Sequence, residues 1–370
     1  EFRSPFYMLM NFAIGGAFTD AYNLGDPGSG LPVSMPFPAE MYVDYIRVYE
    51  WNGQGEVHLG PPTAESGTFG IFTDETPTDG ELLAAAHMGD DFDRSELGLK
   101  TVHCELLAGM IFINFAAEPA PLTDAQQELG ACLEPYDLAN AKVAHRQTYP
   151  IAANWKLAVE NYSECYHCAP AHPEYSRGHS LAHHGQRSGK LLDAVMARAE
   201  ACGLSDRTVT RMFLKAPGFG ADFGYERYPL IREHLTGSDD GRPVAPLLGT
   251  IRDFDGGATD LQVGPVTFGL MYCDHVVLYR FTPVTIGESE CDITWLVRGD
   301  AVEGRDYDRD RLTWLWDVTT HADKRIIEHN QQGVNSRYYE PGPLSAMENF
   351  AWSFLSWYLE TIRSPLRAAA

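Results

Sequence analysis

The sequence predicts an α+β fold, and three observations predict it. Runs patterned as strands fill the middle of the 370-residue chain, a stretch with helical recurrence precedes them, and two long amphipathic stretches follow. Hydrophobic residues make up 44% and aromatics 12%, enough to fill the core of one large domain or two ordinary ones. No internal repeat is visible.

In chain order, residues 1 to 55 read as strands. "FYMLMNFAIGG" is an apolar run closed by a glycine pair, and "MYVDYIRVYEW" alternates aromatic and β-branched residues with polar ones. The Gly/Pro-rich stretch between them reads as a long loop. Residues 53 to 81 are rich in Gly, Thr, Pro and Asp and read as linker or a truncated β module. Composition changes from Leu82 onward. "GMIFINFA" at 109 to 116 is strand-like, and "VVLYRFTPV" turns at Gly287 into "CDITWLVRG" as an antiparallel hairpin. "NWKLAVENYSECYHC" at 154 to 168 has the length and apolar recurrence of a helix. Residues 308 to 333 are strongly amphipathic and stop at Gly333. A last helix is expected behind a capping box, Ser345 with Glu348, running to about Ile362.

Charge and cysteine usage exclude some functions. A formal net charge of −23 without a cluster of Lys or Arg argues against nucleic-acid or anionic-membrane partners. No apolar run is long enough to span a bilayer, and no signal peptide stands at the start. The chain begins at Glu1, which suggests a processed or truncated N-terminus. Seven scattered cysteines fit reduced thiols in a cytoplasmic protein better than a disulfide framework.

The stretch "NYSECYHCAPAHPE", 161 to 174, concentrates groups that bind metals. If 161 to 168 is helical, Glu164 and His167 share a face, and Pro170 loosens the chain before His172. Two imidazoles need a third ligand, and a carboxylate would leave coordination positions open. Asp323 is the candidate, because Asp has poor helix propensity and stands in the middle of an amphipathic stretch. A zinc set of Cys165, His167, Cys168 and His172 is the rival, and chance proximity of two histidines the bland reading. Cys165-Tyr-His167 also matches the first half of a Rieske cluster pattern, but its second half is one residue too long.

"NWKLAVENYSECYHCAPAHPE", "GLKTVHCELLAGMIFINFA" and "ADKRIIEHNQQGVNSRYYEPGPLSAMENFAWSFLSWY" resemble the catalytic-domain signature of Rieske-type non-haem iron oxygenase alpha subunits. The similarity runs from about Leu82 to the C-terminus. It implies a helix-grip antiparallel sheet with a long C-terminal helix, and an Fe(II) triad of His167, His172 and Asp323. Glu164 would be the acidic bridge that passes electrons between subunits, with Asn161 beside the ligands. The implied enzyme activates O2 for hydroxylation or oxidative N-demethylation. Its substrate would be a quaternary amine of the glycine-betaine type or, as runner-up, an aromatic compound. By resemblance it takes electrons from a ferredoxin or reductase and forms a homotrimer. The family's 2Fe–2S cluster is expected, but neither of its ligand motifs is present in this chain.

Residues 1 to 52 instead resemble the last strands of laminarinase-type glycoside hydrolases of family 16, a β-sandwich. The catalytic carboxylate strand of that family is missing and a few sandwich strands leave unpaired edges, so no hydrolase activity is expected. The expected domains are therefore a truncated β fragment at 1–52, a linker or foreign remnant at 53–81, the end of a Rieske domain at 82–116, and the mononuclear iron domain at 117–370. The two halves suggest different compartments, hence a chimeric or misjoined reading frame with its junction between about 56 and 83, or else a natural fusion. The alternative function is a catalytically inactive chimera or glycan-binding fragment.

Among other groups, His179, His183 and His184 are expected in a polar flexible loop at the pocket mouth rather than in a second metal site. Cys273 and His275 either support the pocket or fill the core. Phe268, Tyr272, Trp295 and Trp314 are expected in the core, although an aromatic box would suit a quaternary amine.

Overall fold

A computed structural model describes residues 93, 102–115, 119, 121–179, 186–210, 223–345 and 348–368. The expected modules at 1–52 and 53–81 lie outside these residues, as do His183 and His184. Apart from residues 93 and 102, what is described falls in the compact unit His103–Ala370.

A tight hairpin comes first, β1 (His103–Leu107) and β2 (Met110–Asn114), turning through Ala108 and Gly109, both at positive φ. Helix α1 (Thr123–Leu133) follows and buries Ala125, Leu129, Cys132 and Leu133, an i, i+4, i+8 face. Then come β3 (Lys142–Ile151), α2 (Trp155–Tyr162), the short helices α3 (Cys168–Ala171) and α4 (Pro173–Gly178), and α5 (Gln186–Cys202). Strands β4 (Val209–Thr210), β5 (Phe223–Pro229), β6 (Gly257–Val263), β7 (Thr267–Met271), β8 (Val276–Thr285) and β9 (Glu288–Val297) complete the sheet. Two helices close the chain, α6 (Arg309–Val334) and α7 (Asn349–Ala368).

Seven strands form one antiparallel sheet in the order β3-β9-β8-β7-β6-β5-β4. The expected hairpin is β8–β9, with Thr285 opposite Glu288 across Ile286 and Gly287. Alternation along these strands divides the core in two. On one face Phe268, Leu270, Val277, Tyr279, Ile293 and Trp295 pack under α2 and α6; on the other Phe223, Tyr225, Leu261 and Met271 pack with α1.

The expected long helix at 308–333 is α6, started by Asp308, whose side chain accepts from the backbone N–H of Arg311 at 2.9 Å. The last helix begins at Asn349, later than the capping box implies, although the Ser345 N–H does donate to Glu348 Oε2 at 2.6 Å. The expected helix at 154–168 is shorter than its pattern. It is capped by Asn154 and ends at Tyr162, because the Glu164 carboxylate then captures the backbone N–H of Tyr166 and supports a turn instead. Across that turn Cys165 and Cys168, 4.9 Å apart at Cα, are joined in a disulfide. The expectation of reduced thiols fails for this pair. Among the described residues, no helix is long and apolar enough to cross a membrane.

Candidate metal centre

The turn after α2 and the break between α3 and α4 bring two imidazoles together. His167 caps α3, and His172 sits at the junction where Pro173 opens α4 with φ already fixed for a helix. Opposite them, α6 presents Asp323 on the face that carries the buried residues Thr319 and Ile327, one turn to either side.

One oxygen of Asp323 joins the set. Its Oδ1 lies 2.8 Å from Nε2 of His172 and 3.1 Å from Nε2 of His167. The two rings stand nearly perpendicular, with centroids 5.1 Å apart, and one ligand atom from each of the three residues falls within 4.8 Å of the others. Two imidazole nitrogens and one carboxylate oxygen on one side of a point match the two-histidine, one-carboxylate set that leaves positions open on iron. The donor set therefore fits Fe(II). The zinc alternative fails here, because Cys165 and Cys168 are bonded to each other.

The surroundings tune the set. Nδ1 of His167 lies 2.5 Å from Glu164 Oε1, and the Asn161 amide lies 3.2 Å from Nε2 of the same ring. Glu164 and His167 do meet, but through the turn rather than along a helix face. Burial works against a charge on His167, yet its hydrogen bonds to Asp323 and Glu164 outweigh it and push its pKa up to about 9. Burial likewise opposes ionisation of Asp323, but the two histidines hold its carboxyl below the usual range. His172 is almost fully buried and its Nδ1 has no hydrogen-bond partner.

The triad opens on a cavity of about 320 Å³. Tyr162, Tyr175, Phe268 and Trp316 give it aromatic walls, and Tyr162 stacks on Phe268 with centroids 4.2 Å apart. Of the aromatics expected in the core, Tyr272 and Trp295 are fully buried and Trp314 packs partly buried against the core, whereas Phe268 is both core and cavity wall. His179 is not in a flexible loop. It is buried at the end of α4, with Nδ1 on the Tyr175 carbonyl and Nε2 on the Tyr272 hydroxyl, and burial lowers its pKa to about 3. His275 is core, held by Asp274 at 2.8 Å, and Cys273 is buried in the second cluster.

Sequence reasoning missed Glu226 and Asp260, which line the same cavity from β5 and β6. Polar residues alternating along a strand look solvent-facing. The available signal was an Asp inside a strand, where that residue is depleted.

The model for the ring-hydroxylating alpha subunit (catalytic domain) matches residues 138–364. Over 295 residues the chain is 37% identical to a glycine betaine monooxygenase oxygenase subunit of Pseudomonas aeruginosa, covering 78% of this chain and 67% of that one. The match thus spans about two thirds of that relative's length. A solved quaternary ammonium Rieske monooxygenase in complex with an inhibitor aligns with TM-score 0.51 at 18% identity, over 75% of this chain and 67% of that one, a likeness of fold. A 50-residue stretch, 14% of the chain and 15% of its match, is 42% identical to a beta-glucanase of Rhodothermus marinus.

Proposed function

The chain belongs to the ring-hydroxylating alpha-subunit family and carries a Rieske-type oxygenase catalytic domain, and from that premise we propose that it holds Fe(II) at His167, His172 and Asp323 and oxidatively demethylates a quaternary amine. The observation that carries this reading is the single Asp323 oxygen set between two imidazole Nε2 atoms at the floor of an aromatic-walled cavity. Bound there, Fe(II) would supply open coordination positions for the reduction of dioxygen beside a substrate C–H bond.

The chain's own residues do the rest. Glu164 accepts a hydrogen bond from Nδ1–H of His167, which fixes the ring with Nε2 toward the site, and Asn161 braces the same ring. The rings of Tyr162, Tyr175, Phe268 and Trp316 hold the substrate's apolar and cationic part and exclude water. Glu164 also suits the acidic bridge toward an electron-donating neighbour in a homotrimer. Electrons would come from a 2Fe–2S cluster outside residues 117–370, fed by a ferredoxin or reductase in the cytoplasm. A relative that is a glycine betaine monooxygenase oxygenase subunit favours a quaternary amine over the aromatic alternative.

Hydrogen peroxide supplies both the oxygen and the electrons, so it tests the site without a cluster. Glycine betaine and peroxide should give dimethylglycine, formaldehyde and water with the iron-loaded chain, and none with His167→Ala. Formaldehyde absent from the iron-loaded native chain, or undiminished in the variant, would refute the reading.

A further inference from the structure

Glu226 and Asp260 are direct partners across β5 and β6, so both project from the same sheet face, the face that carries Phe268 and Leu270 toward the iron ligands. Like charges directly opposite on neighbouring strands repel, and a fold does not gain stability from placing them so. Neither carboxylate has a hydrogen bond or ion pair to a described side chain. Arg227, between them in sequence terms, points to the opposite face and is committed to Asp255.

The cavity offers further unused groups. Trp316 is only 3% exposed and its Nε1 lacks a hydrogen-bond partner, and the Tyr162 hydroxyl is likewise buried and unpartnered. Ring and aliphatic surface from Tyr175, Leu261, Phe268 and Leu270 lines the cavity together with the neutral polar side chains Asn161, Ser163, Gln262 and Thr319. Two carboxylates paired across neighbouring strands and set beside the aromatic faces of Tyr162, Tyr175, Phe268 and Trp316 suit a large diffuse organic cation.

We propose that Glu226 and Asp260 form the anionic subsite that recognises the positive nitrogen of the substrate, and that they determine specificity for a quaternary nitrogen over an uncharged carbon in the same place. This rests on the proposed demethylation of a quaternary amine at the same cavity. The charge of the pair, which no described Lys or Arg side chain offsets, is neutralised when the cation enters, while the rings of Tyr162 and Phe268 enclose its methyl groups. A ligand of the same shape with an uncharged carbon in place of the nitrogen gains the ring contacts and leaves the two carboxylates facing each other.

The test compares binding of glycine betaine with that of 3,3-dimethylbutanoate, in which carbon replaces the charged nitrogen, on the full iron-loaded chain under anaerobic titration calorimetry. Betaine should bind at least about tenfold more tightly. That preference should shrink in Asp260→Asn and in Glu226→Gln and fall in the double variant to what the rings alone confer, with iron content unchanged in each. Equal affinities in the native chain, or a preference undiminished in all three variants, would overturn the proposal. Each single variant is isosteric and reads the effect independently if the double variant does not fold. A chain that shows the charge preference but holds no iron would refute the iron reading and leave the subsite standing.

Discussion

Asp323 Oδ1 lies 2.8 Å from Nε2 of His172, although 151 positions separate the two residues. The contact ties the last long helix to the break between two short ones and gives the site its shape. The triad is thus set by three rigid junctions: the cap of α3, the start of α4 and the centre of α6.

Removing the carboxylate should remove the metal and spare the fold. Asp323 is one quarter exposed in a helix that is anchored by Leu312, Leu315, Trp316 and Ile327. Asp323→Ala should therefore keep native circular dichroism while iron content drops at least about tenfold.

Glu164 should matter through His167. With Glu164→Gln the ring keeps a hydrogen-bond partner but loses the charge that raises its basicity. Iron affinity should fall by about 10- to 100-fold, measured by competition with a chelator.

Cation binding should depend on pH through Asp260. Although both carboxylates are solvent-exposed at the cavity, partial desolvation by the surrounding protein, followed by the charge of Glu226, pushes the pKa of Asp260 up to about 7, and desolvation raises that of Glu226 as well. The groups around it are the hydroxyls of Tyr162, Tyr175, Tyr228 and Tyr272, all raised by burial and by its charge, with Asp323 and His167 across the cavity. Below about pH 7 Asp260 is neutral, so betaine affinity should rise as pH increases through that value and level off above it. Asp260→Asn should flatten this rise. A carboxyl whose folded pKa is raised also costs stability on ionising, so its contribution falls as pH climbs from the ordinary Asp range to about 7.

Beneath the site, Arg227 and Asp255 form a buried ion pair, 2% and 0% exposed, with Tyr136 and Thr259 on the same guanidinium. Deleting one partner strands a buried charge. Asp255→Ala should cost about 3–5 kcal/mol in chemical denaturation.

Local signals carried much of this structure. The β8–β9 hairpin and α6 were legible because period-2 and helical patterns there agree with their burial. The His167–His172 spacing and an Asp placed against propensity in α6 only suggested a metal site, and it was the resemblance to Rieske-type oxygenases that implied the triad. The end of α2 was not, because the pattern through 163–168 remains helix-like while a side chain, Glu164, takes the backbone donor. The Cys165–Cys168 bond was hidden by composition, which speaks of compartment and not of a pair brought close in one turn. Glu226 and Asp260 were hidden by alternation, which cannot distinguish a strand face turned to water from one turned to a cavity.

The most direct test of the account is metal and sulfide analysis of the purified full chain after anaerobic reconstitution with Fe(II), beside Asp323→Ala. The account predicts about one iron per chain without acid-labile sulfide, and almost none in the variant. Iron absent from the native chain, or equally retained by Asp323→Ala, would contradict it.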